Sequence, residues 1–245
     1  MSVHLGCSGW YYWRWRGDFY PADLPTDQWF KRYARAFKTV EMNSTYYHWP
    51  RPATIQGWVR QAPPSFRYAV KVNREITHER RMIGTKRLIR QFSAIATTLG
   101  PKFGCFLFQF PPSFRYTAAR LKRITTQLDP SHRSAVEFRH PSWWRASVYR
   151  ALARAKIVFC SVSAPRLPET LVNTGDGIYL RFHGRTRWYH HDYSRAELAE
   201  WAEKVRASGA REAWIYFNND YNGCAVRNAR QLKKALASPP LSSLH

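Results

Sequence analysis

The stretch Gly177-Ile178-Tyr179-Leu180-Arg181-Phe182-His183 reads as a short strand in which two kinds of side chain alternate. Alternate residues of a strand share a face. Leu180 and Phe182 therefore lie on one side, and Tyr179, Arg181 and His183 on the other. Seven further segments read as short buried strands rich in β-branched, aromatic and cysteine residues: 3–8, 39–43, 67–72, 104–110, 134–139, 157–162 and 213–218. Their starts recur about every 30 residues, the length scale of a βα unit. Helical periodicity fills most of the gaps, over 27–37, 53–61, 85–99, 117–128, 142–155, 194–207 and 223–236. Thr26 is a candidate cap for the first of these. Ser194 with Glu197 three residues on has the capping-box pattern. Only 163–176 lacks a helical pattern. Strands alternating with helices imply a parallel sheet. Eight such units predict an α/β fold, a TIM-like (β/α)8 barrel formed as a single domain over residues 1–237. An open doubly wound sheet is the competing arrangement, and residues 238–245 read as a frayed tail.

Composition narrows the class. Hydrophobic residues make up 44% of the 245 and aromatics 16%, enough for a sizeable core and too much for a disordered chain. No apolar run approaches the roughly 20 residues that span a bilayer, and Met1–Trp10 lacks the layout of a signal peptide. Cys7, Cys105, Cys160 and Cys224 are widely spaced, which reads as reduced thiols in a cytoplasmic protein. The charge is the outlier: 39 Lys and Arg against 16 Asp and Glu, a net +23. A field of that sign attracts polyanions. Arginines on solvated helix faces produce the same count, and the count alone does not separate the two.

The polar residues of the strands fall on a consistent face. Glu41 and Asn43 oppose Val40 and Met42; Ala69, Lys71 and Asn73 oppose Val70 and Val72; Cys105, Leu107 and Gln109 oppose Phe106, Phe108 and Phe110. Glu137 and Arg139 oppose Val136 and Phe138; Tyr216 and Asn218 oppose Ile215 and Phe217, with Asn219 and Asp220 following. In every case the polar face turns charged or amidic near the strand's C-terminal end, where a barrel has its one functional mouth. Interior ion pairs among Glu41, Glu137, Arg139 and Arg181 are the alternative reading, since buried charges must be paired.

The motifs Gly6-Cys7-Ser8-Gly9-Trp10, Val40-Glu41-Met42-Asn43-Ser44-Thr45-Tyr46-Tyr47, Phe108-Gln109-Phe110-Pro111-Pro112-Ser113-Phe114, Val136-Glu137-Phe138-Arg139-His140-Pro141-Ser142-Trp143 and Tyr216-Phe217-Asn218-Asn219-Asp220 occur in this order. With Gly223, Ala225, Asn228 and Ala229 they make the chain similar to the YecE-like family, the domain of unknown function numbered seventy-two. The resemblance runs from Leu5 to about Leu236 and implies a barrel related to the TIM barrels. It implies no reaction, because the family has none assigned. The short, Pro-bearing segment after the sixth strand is a local departure.

The residue types at the mouth suit acid/base chemistry on an anionic substrate. Arg139, Arg181 and Lys71 could clamp a phosphate or carboxylate. Glu41 and Glu137 could act as acid and base, with His183 and Asp220 as further candidates. Asn43, Gln109, Asn218 and Asn219 would orient the substrate and Tyr46 would stack on it. Lys71 as an imine-forming nucleophile is disfavoured at this level, because a nearby carboxylate would hold its ammonium charged. No metal is expected: no HxH or HExxH spacing occurs, and the three cations would repel one. No cofactor is implied, as Gly6-Cys7-Ser8-Gly9-Trp10 lacks the dinucleotide spacing. Basic clusters at Arg74–Arg90 and Arg115–Arg123 could form a collar for a nucleic-acid backbone or could be solvated helix faces. The expected activity is thus an enzyme for an anionic, phosphate-bearing molecule, nucleic acid included. The competing readings are a non-catalytic nucleic-acid-binding protein and a lyase or isomerase of a sugar acid or sugar phosphate.

Overall fold

The computed structural model describes residues 1–238, so all but the first residue of the expected tail lies outside the described residues. Eight parallel strands are hydrogen-bonded in the order β1-β8-β7-β6-β5-β4-β3-β2. They are β1 Ser2–Cys7, β2 Thr39–Met42, β3 Arg67–Lys71, β4 Phe103–Gln109, β5 Ser134–Glu137, β6 Ile157–Ser163, β7 Gly177–Phe182 and β8 Glu212–Phe217. This is the (β/α)8 barrel, not the open sheet. The outward residues, among them Val40, Val70, Phe106, Phe108, Val136, Leu180, Phe182, Ile215 and Phe217, are buried against the helix layer. The inward set is different in size. Ala69, Cys105, Ala135 and Cys160 are small, which leaves room inside for the rings of Tyr179, Trp214 and Tyr216. All four cysteines are free and buried. No helix among the described residues is long and apolar enough to cross a membrane.

The helices are α1 Trp29–Ala36, α2 Ser44–Tyr47, α3 Pro52–Gln61, α4 Lys86–Leu99, α5 Ala118–Gln127, α6 Ala146–Arg154, α7 Arg195–Ala207 and α8 Cys224–Ala237. Ser194 does form the capping box with Glu197 at the start of α7. Thr26 does not cap α1: it opens a single 3-10 turn, Thr26–Gln28, and α1 begins after it. Between β6 and β7 there is no helix, as the sequence suggested. Side-chain hydroxyls hold that segment along β6 instead. Thr174 Oγ1 accepts from the Phe159 N–H at 2.9 Å and donates to the Ile157 carbonyl at 2.8 Å, and Ser161 Oγ accepts from the Val172 N–H at 2.9 Å. One turn was not foreseen, a π-helical turn at Glu75–Glu79 just after β3. Such turns are rare and concentrate at functional sites.

The barrel closes at a seam between β1 and β2, which share no ladder. Gly6 allows the two backbones to approach, since a Cβ there would lie 2.3 Å from the Thr39 carbonyl oxygen. A tyrosine from α1 does the work of a ladder bond. The buried Tyr33 hydroxyl accepts from the Cys7 N–H at 2.8 Å and donates to the Thr39 carbonyl at 3.0 Å. Above it, Ser8 Oγ donates across the same seam to Glu41 at 2.7 Å. Tyr33→Phe removes the first bridge and leaves a buried N–H without that acceptor. We expect a loss of about 1–3 kcal/mol in urea denaturation; an unchanged midpoint would mean that packing alone holds the seam.

Candidate functional site

The mouth is organised around Arg181, on the inward face of β7 and fully buried. Its Nη2 donates to Glu41 Oε1 at 2.6 Å, and its Nη1 donates to Glu137 Oε2. Glu41 comes from β2 and Glu137 from β5, so one guanidinium joins opposite parts of the barrel wall. Both carboxylates are also fully buried. Glu41 takes two further hydrogen bonds, from Ser8 Oγ and from the Tyr179 hydroxyl, each at 2.7 Å. Glu137 accepts a second arginine, Arg139 Nε at 2.8 Å. Burial alone would raise the Glu137 carboxyl; Arg181, Arg139 and His183 outweigh it and hold the group well below the usual carboxylate range. Only Nε of Arg181 is left without a partner.

His183, two residues further along the same face, is fully buried and pushed down to about 3. Desolvation is the main cause, and the Glu137 charge opposes it. The ring is therefore neutral at pH 7. Asn218 Nδ2 lies 3.2 Å from Nδ1, and Nε2 lies 3.3 Å from Glu137 Oε1. Two guanidinium nitrogens also approach Nε2, Arg181 Nη1 at 3.3 Å and Arg139 Nη2 at 3.5 Å, so this nitrogen stands among donors as well as beside Glu137.

Lys71, the last residue of β3, stands apart from this network. Its ammonium lies over the Tyr46 ring, 4.1 Å from the centroid, and makes no ion pair among the described residues. Burial first, then the Arg181 and Arg139 charges, push it down to about 7; Glu137 and Glu41 act the other way and lose. The carboxylates expected to keep it charged are both engaged by arginine.

Three groups at the rim carried no strand or helix signal and were missed. His78 sits on the π turn, its ring edge-on to Tyr46 with centroids 5.1 Å apart and Nε2 3.3 Å from Gln109 Nε2. Burial, helped by Lys71 and Arg139, lowers it to about 4. Trp188 and Tyr189 lie in the loop after β7. The Arg139 guanidinium lies 4.7 Å from the Trp188 ring centroid, and its Nη1 donates to the Tyr189 hydroxyl at 2.9 Å. The loop starts at Gly184, φ 109°, where a Cβ would lie 2.3 Å from the Arg187 carbonyl oxygen. The position of each missed residue just beyond a strand's C-terminal end was the only available signal.

Of the residues singled out from sequence, Glu41, Glu137, Arg139, Arg181 and His183 form one network, and Lys71, Tyr46, Gln109 and Asn218 surround it. Asn43 faces a neighbouring cavity of about 450 Å³, lined also by Ser8, Trp10, Tyr12, Thr54 and Trp58. Asp220 is separate: it accepts from Trp15 Nε1 at 2.5 Å, and burial raises it to about 6 against the pull of Trp15 and Arg14. Asn219 is fully buried and donates to the His191 carbonyl at 2.8 Å and to Asn228 Oδ1 at 2.7 Å, so it ties the β7 loop to α8, while its own Oδ1 has no partner. In the expected basic collar, Arg74 and Arg80 are paired with Glu79 and Glu75. Among the described residues no three His, Cys, Asp or Glu side chains converge as a metal site would.

A family model described as "Protein of unknown function DUF72" matches residues 4–243. The chain belongs to the DUF72 family. It is 26% identical to the UPF0759 protein YunF of Bacillus subtilis, over 96% of this chain and 94% of that one. To the UPF0759 protein YecE of Escherichia coli K12 it is 30% identical over 46% of this chain and 42% of that one. The crystal structure of a DUF72 family protein from Thermotoga maritima superposes with a TM-score of 0.89 at 31% identity, covering 97% of this chain and 100% of the other. A second DUF72 structure, from Enterococcus faecalis, has a TM-score of 0.84 at 23% identity, over 97% of this chain and 96% of that one, and so speaks to the fold alone.

Removing Arg181 would leave the buried Glu41 without its cation and Glu137 with Arg139 alone. Arg181→Met should lower stability by about 3–5 kcal/mol at pH 7. The deficit should shrink on acidification from pH 7 to 4. In the variant Glu41 has lost its cation and Glu137 keeps only Arg139, so protonation relieves buried negative charge and stability returns. The wild type loses stability over the same range, because Glu137 is depressed and His183 must charge below its unfolded value of 6.5. Urea midpoints for both proteins across this range test it; a constant difference would mean that Glu41 and Glu137 are not held by Arg181.

Proposed function

We propose that the C-terminal mouth of the barrel binds a small anionic molecule, through a phosphate or carboxylate group, and exchanges a proton with it. Support comes from the charge inventory. Lys71, Arg139 and Arg181 face only two carboxylates, Glu41 and Glu137, and every short ion pair of those carboxylates with a lysine or arginine is to an arginine. The uncompensated charge is thus on Lys71, and an anion entering the mouth completes the balance. The single observation that carries the reading is this ammonium, partly buried over Tyr46 with no carboxylate partner. Burying a cation in this way is costly unless something pairs with it.

The division of labour differs from the one the residue types first suggested. Glu41 and Glu137 are sealed under Arg181, where they set its position and hold its charge. Proton exchange falls to Lys71, which is poised near neutral pH as an efficient acid–base group must be. His78 shares the Tyr46 ring with it. Arg139, with Trp188 beneath its plane, supplies a fork for the anion's oxygens, and Tyr189 holds that fork until a ligand replaces it. A second reading has its own observation. The net charge of +23 favours a polyanion, and a nucleic-acid strand could present one phosphate to the same cations.

Sulfate is a suitable probe because it does not titrate near neutrality. Its binding, followed by tryptophan fluorescence, should weaken about tenfold or more in Lys71→Met and in Arg139→Met. In the wild type it should weaken as pH rises through about 7, when Lys71 loses its proton, and that step should vanish in Lys71→Met. Equal affinity in wild type and both variants would sink the reading. Salt-dependent binding of random-sequence DNA, unchanged by the two substitutions, would move the polyanion site off the mouth.

A further inference from the structure

We infer that Lys71 is a covalent amine nucleophile, forming an imine with a carbonyl carbon of a substrate whose anionic group is held by Arg139. This rests on the anion-binding reading and adds to it the substrate class: an oxo compound carrying a carboxylate or phosphate close to its carbonyl.

Geometry carries the argument. Lysine here ends β3, on the inward face and at the mouth end of the barrel, directly after the small Ala69 on that face. A lysine placed for stability would reach a carboxylate. Two are in the same mouth, and both are turned to Arg181 and Arg139. A lysine placed only to hold an anion would work best permanently charged, as arginine is, and arginine already fills that role at Arg139 and Arg181. What lysine alone among the cations can offer is a lone pair. The partial burial of Nζ and its two guanidinium neighbours favour the neutral amine, consistent with the depression to about 7.

The surroundings suit each stage of the reaction. The Nζ lone pair attacks the carbonyl carbon, and the π electrons move to oxygen, which takes a proton. The C–O bond then breaks, the oxygen leaves as water, and the N=C double bond forms. Both hydrogens of the water derive from Nζ, so no oxidant or reductant enters. His78, neutral and set against the same Tyr46 ring, is placed to carry those protons. Protonation of the imine gives a cation at the position of Nζ, where the Tyr46 face meets it 4.1 Å away. Arg139, with Trp188 under its plane, would fix the far end of the substrate.

The test is reductive trapping. The protein at pH 7 is mixed with cyanoborohydride and one of three probes: pyruvate, glycolaldehyde phosphate or neutral glycolaldehyde. Adducts are then mapped by peptide mass spectrometry. At pH 7 the neutral fraction of Lys71 is on the order of a thousandfold above that of an ordinary lysine. After allowance for its weaker nucleophilicity, trapping at Lys71 should exceed that at exposed Lys31 and Lys38 by at least about tenfold. Its rate should level off above about pH 7, while theirs keep rising. The carboxylate and phosphate probes distinguish the two sources of the anionic group by which gives the larger ratio of trapping at Lys71 to trapping at Lys31, a ratio that cancels the different reactivity of a ketone and an aldehyde. Site mapping in the wild-type chain needs no variant to fold; Lys71→Arg should abolish the adduct as a second check. Trapping at Lys71 no faster than at Lys31 with every probe overturns the inference. The two proposals fail separately. Sulfate binding without trapping leaves the anion site and removes the imine. Preferential trapping at Lys71 that is equal for charged and neutral probes, and unaffected by Arg139→Met, keeps the nucleophile and removes the anion site.

Discussion

One guanidinium buried between two carboxylates is the constraint on which the rest of this mouth depends. Arg181 has five N–H donors in a fixed plane, and its two ends meet Glu41 and Glu137 from well-separated strands. Each acid brings further ties: Ser8 and Tyr179 to Glu41, Arg139 and His183 to Glu137. The inward layer at this depth is thus a cross-linked plate of charge across the barrel. Removal of Arg181 leaves Glu41 buried with no cation, which is worse than never having placed a charge there. The plate also fixes what lies above it. Glu137 orients Arg139, and Arg139 in turn engages Tyr189 and Trp188.

The barrel was legible because its strands carry the two-residue alternation in nearly ideal form. Val136-Glu137-Phe138-Arg139 and Leu180-Arg181-Phe182-His183 each name both faces of the wall. The depth of each polar residue was not legible. Parity says that Glu137 and Arg139 share a face; it does not say that one is sealed and the other meets the rim. Nor does it say which partner a charge chooses. Lys71 looked bound to be paired because carboxylates were near in topology, but arginine competes better for them through its planar fork. Asn219 shows the limit of parity where a strand ends. Just beyond Phe217 the chain turns, and its side chain goes toward α8 and His191. His78, Trp188 and Tyr189 sit in irregular chain, where periodicity has nothing to report and only the closed barrel brings them over the strand ends.

Interior ion pairs and an unpaired cation occur side by side on one face of this barrel. Glu41, Glu137 and Arg181 are fully buried and ion-paired with one another, with Arg181 Nε the one nitrogen of that guanidinium left without a partner. Lys71 behaves in the opposite way. Its charged form is disfavoured by its own surroundings, so below pH 7 it subtracts from folding stability. That cost fades as pH rises through 7 toward the unfolded value near 10.5, because the folded state then holds fewer protons than the unfolded one. A methionine would fill the space over Tyr46 without that cost. A residue that weakens the fold at neutral pH, in a mouth where Glu41 and Glu137 are both taken by arginine, is the kind of local inconsistency that marks a site of function. The plate beneath makes it possible: by tying up both carboxylates, Arg181 and Arg139 keep Lys71 from the partner that would otherwise hold its proton.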